Sequence, residues 1–196
     1  MITADRILHR LRSRGRGYVF TPKDCLDLGT RASIDQALSR LVKSGDVRRL
    51  GRGVYDYPRR NPLIGAVRPT PQRVAQAIAR QTRSLVQVDG AQAANVLGLS
   101  TQVPARPTFL TDGPTRRVQI GNTAIVLKHA SPRRLIAPGT RAGTVVQALR
   151  FMGRDGLPAT TTQLNAKLTT DDRRELARHL SDVPGWMRPV VSDLAK

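Results

Sequence analysis

One stretch of this 196-residue chain, Thr21–Pro58, constrains its fold more than any other. A Thr-Pro pair that can begin a helix is followed by a Leu-Gly pair that can end one, which predicts a short first helix. A second helix is predicted after the polar residues 30–33, and it ends at Ser44-Gly45-Asp46. Its apolar positions recur at the three- and four-residue spacing of one helix face. They are Ile34, Ala37, Leu38, Leu41 and Val42.

The residues after the second helix alternate in polarity, as in a strand. Val47–Leu50 leads into Gly51-Arg52-Gly53, and Val54–Tyr57 leads out. Glycines on both sides of one arginine predict a hairpin turn that raises Arg52 above the sheet. Helix, turn, helix and basic hairpin is the arrangement of a winged helix-turn-helix, whose second helix lies in the DNA major groove. The alternative is a small helical domain whose charged face is only solvated.

The residues before this stretch complete a small domain. A helix is predicted over residues 3–14, with Thr3 as its cap and Ile7, Leu8 and Leu11 as its apolar stripe. Tyr18-Val19-Phe20 predicts a third strand beside the hairpin. The first domain is therefore placed at residues 1–60, a size that is only just self-supporting.

The chain is strongly basic. It has 33 Lys and Arg against 14 Asp and Glu, a net charge of +19, which favours an acidic partner, most commonly nucleic acid. Codon usage in a GC-rich genome also enriches arginine and offers a second explanation for part of the excess. Net charge is +8 over residues 1–60 and +11 over residues 61–196, so the basic character is not confined to the first domain.

Cysteine usage and hydropathy indicate a cytoplasmic protein. Cys25 is the single cysteine, which leaves no internal disulfide and no cysteine-based metal cluster. Its position on the predicted first helix of the motif favours a buried apolar role. The N-terminus lacks the apolar region of a signal peptide, and no run approaches the roughly 20 apolar residues that span a bilayer.

The remaining chain predicts an α+β fold overall. The proline-rich residues 61–71 are read as a linker, and residues 72–196 as a mixed α/β domain with a β-hairpin and terminal helices. In chain order the predicted elements are a helix to about Thr82, a strand at 84–88, a helix ending at Gly98, a strand at 107–111, a hairpin at 117–127, and helices around Val145–Met152, Leu164–Leu168, after Thr170 and at the C-terminus.

The basic and polar residues of the motif are the candidate DNA contacts. Arginine can bind guanine bidentately and glutamine adenine, whereas serine is less selective. Arginines on the hairpin suit phosphate contact better than base readout. The candidates are Arg31, Ser33, Gln36, Arg40 and Lys43 on the second helix, and Arg48, Arg49 and Arg52 on the hairpin.

No catalytic site, metal site or cofactor is predicted. His9, His129 and His179 lie in separate segments without metal-ligand spacing, and no phosphate-binding glycine loop is present. An enzyme acting on nucleic acid is the competing class. It would have to build a carboxylate cluster from residues 62–196, which offer Asp89, Asp112, Asp155, Asp171, Asp172, Glu175, Asp182 and Asp193.

Two pairs of segments carry a family resemblance. The hairpin DVRRLGRGVYDYPR and the preceding DLGTRASIDQALSRLVKSG resemble the N-terminal domain of AbiEi-type antitoxins of type IV toxin–antitoxin systems. The region to Leu135 also resembles this family, including the segments VDGAQAANVLGLSTQVP and PTFLTDGPTRRVQIG.

The resemblance implies a two-domain antitoxin and transcriptional autorepressor. Its winged helix would bind inverted repeats in double-stranded DNA of its own promoter, and its C-terminal domain would oppose a nucleotidyltransferase-like toxin. The resemblance assigns Arg31, Ser33, Gln36 and Arg40 to the recognition helix and Arg48, Arg49 and Arg52 to the wing. It assigns no residue to neutralisation, and direct contact with the toxin stays open. A stand-alone winged-helix regulator and a module that docks an acidic protein, with incidental DNA binding, are the alternatives.

Overall fold

The computed structural model of the chain describes residues 2–63 and 65–196. Met1 and Ile64, which belong to the predicted first domain and linker, lie outside the described residues. The helices are α1 (Thr3–Arg14), α2 (Arg31–Lys43), α3 (Pro71–Thr82), α4 (Gly90–Val96), α5 (Arg141–Met152), α6 (Leu157–Asn165), α7 (Thr170–Arg178) and α8 (Arg188–Leu194). The strands are β1 (Val19–Phe20), β2 (Arg48–Gly51), β3 (Val54–Asp56), β4 (Arg59–Asn61), β5 (Gly65–Val67), β6 (Val86–Val88), β7 (Thr108–Thr111), β8 (Arg116–Ile120) and β9 (Thr123–His129). The fold is α+β, as the sequence predicts.

Contacts divide the chain into two compact units. Unit 1 comprises Met1–Arg83 together with Val118–Ala124, and unit 2 comprises Ser84–Arg117 and Ile125–Lys196. The main division therefore falls after Arg83, whereas the sequence predicted a linker at residues 61–71. Helix α3 accounts for the difference. Its Arg73 and Arg80 donate to the carbonyls of Gly17 (3.2 Å) and Val19 (2.7 Å) in unit 1.

Helices α1 and α2 form the core of unit 1. Thr30 caps α2 as predicted, since its Oγ1 accepts from the Ser33 N–H at 3.3 Å. The helix buries the face that its apolar spacing predicts, except that Val42 is only half-buried. The buried side chains of this core are Ile7, Leu11, Phe20, Cys25, Leu28, Ile34, Ala37, Leu38, Leu41 and Val47.

Two helix starts in unit 1 differ from the prediction. The segment predicted as a helix from Thr21 to Leu28 is a 3₁₀ turn, Pro22–Cys25, because the Asp24 carboxylate accepts from the Thr21 N–H (2.8 Å) and closes a tight turn. Thr3 is the first residue of α1 and not its cap. Ile2 precedes the helix, and its N–H donates to Asp5.

Unit 1 also contains a three-stranded antiparallel sheet of order β1-β3-β2. The hairpin and the third strand are confirmed. Strand β2 has an irregularity between Arg49 and Gly51, which leaves Leu50 without a partner residue and marks a bulge. Gly53 in the turn has a φ of 70°, a left-handed conformation that glycine adopts without strain.

The predicted linker contains a second antiparallel ribbon. Strands β4 and β5 pair Arg59 with Val67 and Asn61 with Gly65. The reading of residues 61–71 as a linker did not predict this ribbon. Pro62 lies in the turn, where its missing N–H is not needed, and the Asn61 side chain accepts from the Leu63 N–H at 2.8 Å.

A buried ion pair joins the hairpin to this ribbon. Asp56 on β3 is 0% exposed and faces Arg48 across the ladder. Arg48 Nε and Nη2 donate to the Asp56 carboxylate at 3.0 and 2.6 Å, and Nη2 also donates to the Val67 carbonyl of β5 at 2.8 Å. One guanidinium therefore holds three strands together.

Unit 2 contains a four-stranded sheet of order β6-β7-β9-β8, with β6 and β7 antiparallel and β7 and β9 parallel. The tip of the β8–β9 hairpin is the segment that groups with unit 1. Helices α4 and α5 pack closely because small residues meet there. A Cβ on Gly90 would lie 2.7 Å from the Cβ of Phe151 and 3.0 Å from the carbonyl oxygen of Gln147.

The C-terminal helices close unit 2. Arg173 on α7 donates to the carbonyls of Asn165 (3.0 Å) and Leu194 (2.8 Å), which links α6, α7 and α8. The cap of α7 is Thr169, one residue before the predicted start at Thr170. The helix predicted around Leu164–Leu168 lies earlier in the chain, as α6 (Leu157–Asn165).

Replacement of Arg48 by methionine should destabilise unit 1 by about 3 kcal/mol, because it leaves the Asp56 carboxylate buried without a cation. Chemical denaturation followed by circular dichroism measures the change. Arg31→Met is the matched control, since it breaks an exposed ion pair with Asp35 and should cost less than about 1 kcal/mol. Equal losses from the two variants would contradict the role assigned to Asp56.

Candidate nucleic-acid interface

An open cleft of about 750 Å³ lies between α2 and the β2–β3 hairpin of unit 1. Its helix side presents one stripe at four-residue spacing, and its hairpin side presents the turn. The lining residues are Arg31, Asp35, Ser39, Val42 and Lys43 from α2, Arg49, Arg52, Gly53 and Tyr55 from the hairpin, and Pro22 and Gln81.

The cleft carries an excess of positive charge. Four of its residues are basic and one, Asp35, is acidic. Arg31 Nε pairs with Asp35 at 2.8 Å, but both side chains are about half exposed, so the pair is weak and can exchange partners. Within residues 2–63 and 65–196, no carboxylate pairs with Lys43, Arg49 or Arg52.

The helix candidates occupy two positions relative to this cleft. Arg31 and Lys43 line it, whereas Gln36 and Arg40 are exposed on the adjoining part of the same helix surface. Ser33 is half-buried, and its hydroxyl donates to the Thr30 carbonyl at 2.9 Å. Ser33 therefore stabilises the first turn of α2.

The three hairpin candidates differ in exposure and in hydrogen bonding. Arg49 and Arg52 are exposed and line the cleft. Arg48 precedes Arg49 and so lies on the other face of the strand, where Asp56 and the Val67 carbonyl accept its hydrogen bonds. Its guanidinium belongs to the internal architecture of unit 1.

Arginines of α1 fix the segment that sets the direction of α2. Arg6 donates to the Leu28 carbonyl at 2.9 Å, and Arg10 donates to the Asp24 carbonyl at 2.9 Å. Arg10 also forms a bidentate ion pair with Asp27, which lowers the pKa of that carboxyl to about 2. Arg6 and Arg10 are not among the functional residues that the sequence predicts. The nearby acidic residues were the available signal.

Asp35 and Ser39 are cleft residues that the sequence analysis did not select. They complete the row that begins at Arg31 and ends at Lys43. Four-residue spacing places such residues on one helix surface, so the spacing itself could have identified them. Tyr55 gave no signal, because its position depends on the register of β3.

Six of the eight acidic residues of unit 2 have local structural partners. Asp112 accepts the Leu85 N–H at 2.7 Å, and Asp172 caps α7 through Thr169. Four others pair within their own helix or turn. These are Asp171 with Arg174, Glu175 with Arg178, Asp182 with His179, and Asp193 with Lys196. In the described part of the chain, no group of three His, Cys, Asp or Glu residues is placed to hold a metal ion.

Together, the fold and the cleft define an α+β protein with a cationic surface between a helix and a hairpin in its N-terminal unit. Residues 6–176 match DUF6088, a family of unknown function, and the chain belongs to that family. No curated protein and no solved structure gives a significant match. Among the described helices, none has the length and apolar character needed to cross a bilayer.

Cys25 is 2% exposed, which confirms its predicted burial, and this burial raises the pKa of its thiol to about 11. The thiolate is the reactive form, so its scarcity should slow reaction with a disulfide reagent at pH 8 by about 100-fold or more relative to the unfolded chain. Absorbance of the released thiol, with and without guanidinium, measures the two rates. Rapid labelling of the folded protein would show an accessible thiolate and contradict this assignment.

Proposed function

We propose that this protein is a DNA-binding transcriptional autorepressor whose unit 1 is a winged helix-turn-helix. In this proposal α2 is the recognition helix, the β2–β3 hairpin is the wing, and the 3₁₀ turn at 22–25 with the following residues takes the place of the motif's first helix. The cationic cleft between α2 and the hairpin is the observation that carries the proposal.

The proposed contacts follow from exposure and chemistry. Arg31, Gln36 and Arg40 are exposed on α2 and have the donors that read guanine and adenine edges in the major groove. Lys43, Arg49 and Arg52 would bind phosphates on either side of the helix. Ser33 and Arg48 are left out of this set because intramolecular acceptors engage them in half-buried positions, whereas the ion pair of Arg31 with Asp35 is exposed.

The antitoxin role rests on the resemblance of residues 27–59, 88–104 and 107–121 to AbiEi-type antitoxins. We infer that the protein represses its own promoter at inverted repeats and opposes a nucleotidyltransferase-like toxin encoded beside it, both in the cytoplasm. Membership of DUF6088 is compatible with this role and does not specify it.

The DNA-binding proposal is tested with duplex DNA from upstream of the start codon and scrambled DNA of equal length, titrated over a salt series. Wild-type protein should prefer the upstream DNA at physiological salt. The triple variant Arg31→Ala, Gln36→Ala, Arg40→Ala should lose at least about 100-fold affinity for it, since each base contact contributes roughly 1–3 kcal/mol. Arg52→Ala should weaken both DNAs alike and lower the salt slope by about 1.

The matched control is the double variant Arg174→Ala, Arg178→Ala. It also removes two positive charges, but from exposed positions of α7. Its affinity should change less than about threefold. If the control variant lost as much affinity as the triple variant, the protein's net charge alone would account for DNA binding, and the assigned contacts would be wrong. Wild-type protein that binds both DNAs equally and dissociates at physiological salt would reject the proposed regulator.

The antitoxin proposal is tested by growth. The neighbouring reading frame is induced from an unrelated promoter, with this protein supplied from a second plasmid. The protein should restore growth, and the triple α2 variant should restore it as well, because the resemblance assigns neutralisation to the C-terminal region. Growth arrest unaffected by the wild-type protein would reject the antitoxin role and leave a stand-alone regulator.

A further inference from the structure

Unit 2 contains a cavity of about 320 Å³ that the proposed DNA-binding role does not use. It lies where the start of α4, the 3₁₀ turn Pro132–Arg134 and the last part of α5 meet. Its lining residues are Asp89, Gly90, Ala91, Arg134, Gln147, Arg150 and Phe151. The volume is at the lower end of the range for small-molecule sites in proteins.

Arg150 is the unusual residue of this cavity. It is half-buried, and its Nε is buried without a hydrogen-bond partner among the residues that the structure describes. Burial, followed by the positive charge of Arg134, lowers the pKa of Arg150. Within the described residues no carboxylate forms an ion pair with either arginine. A cation withdrawn from water without a counter-ion is costly, and an anion between the two arginines would remove that cost.

Hydrogen bonds between the 3₁₀ turn and α5 fix the backbone around Arg134 and Arg150. Gln147, which is 1% exposed, donates to the Arg134 carbonyl, and Arg150 Nη2 donates to the Arg133 carbonyl at 3.0 Å. These bonds hold the 3₁₀ turn against α5. Among the described residues, no acceptor takes a hydrogen bond from Arg150 Nη1 or from the Arg134 guanidinium, so both side chains retain donors for a ligand.

Two further residues limit the kind of ligand. Phe151 is 52% exposed at the cavity, so its ring can stack on a planar group. Asp89 is half-buried and makes no capping bond within α4, which leaves its carboxylate able to accept from a hydroxyl or amino group. Phosphate, planar ring and hydroxyl donors occur together in nucleotides.

We propose that this cavity is a binding site for a nucleotide phosphomonoester. Arg134 and Arg150 bind the phosphate, Phe151 stacks on the base, and Asp89 accepts from a sugar hydroxyl or base amino group. The site is separate from the DNA-binding cleft, so the outcome of the promoter titration does not decide it.

Calorimetric titration of the full chain with inorganic phosphate, adenosine, AMP and GMP tests the proposal. The two nucleotides should bind, phosphate should bind more weakly, and adenosine should not bind detectably. Arg134→Gln should weaken nucleotide binding about tenfold or more, which is the expected loss of charge-assisted hydrogen bonds. The matched control is Arg133→Gln, an exposed neighbour that does not line the cavity, and it should change affinity less than about twofold.

The variant Phe151→Leu distinguishes the contribution of the base to affinity from that of the phosphate. It should weaken AMP and GMP severalfold and leave inorganic phosphate unchanged. A 5′-phosphorylated dinucleotide distinguishes a free nucleotide from the end of a nucleic acid; binding of it as tight as AMP would assign the site to a 5′ end. Equal effects of Arg133→Gln and Arg134→Gln, or no binding of any phosphate compound at millimolar concentration, would overturn the proposal.

Discussion

The ion pair between Asp56 and Arg48 is the contact on which the β-structure of unit 1 depends. Asp56 faces Val19 of β1 on one side and Arg48 of β2 on the other, and the Arg48 guanidinium continues to the Val67 carbonyl of β5. A carboxylate with no exposure requires a fixed cation, so the strands cannot shift register without exposing or orphaning that charge. The direction of the hairpin, and with it the positions of Arg49 and Arg52, follows from this restriction.

A net charge of +19 overstates the charge that is available to a partner. Cations outnumber carboxylates more than two to one, and many arginines therefore bind backbone carbonyls instead. Examples in unit 1 are Arg6 to Leu28, Arg73 to Gly17 and Arg80 to Val19; an example in unit 2 is Arg173 to Leu194. Such arginines connect elements that are distant in sequence. Among the described residues, Arg49 and Arg52 are exposed and make no such bond, so their charge remains available for recognition.

Local patterns predicted much of this structure, and long-range contacts explain what they missed. The apolar spacing of α2 and the Gly-Arg-Gly turn between β2 and β3 are local features, and both are confirmed. The β4–β5 ribbon was missed because Pro58 and Pro62 are ordinary linker signals, whereas its position depends on a bond from Arg48, 19 residues before Val67. Because the sequence does not show this bond, Arg48 was predicted to be a DNA contact on the hairpin surface. The cavity in unit 2 combines residues from three segments, so local sequence patterns did not predict it.

Exposure distinguishes Arg49 and Arg52 in the cleft from Arg150 in the cavity of unit 2. In the cleft, Arg49 and Arg52 are exposed, and water stabilises their charge whether or not a ligand is present. Such cations act through counterion release and long-range attraction, which suits an extended polyanion and makes binding sensitive to salt. Arg150 is half-buried, so water compensates its charge only in part. A compact anion that enters the cavity gains both the attraction and the relief of that desolvation, and salt screens the interaction less. The burial of each cation therefore favours a different partner, an extended nucleic acid for unit 1 and a small phosphate compound for unit 2.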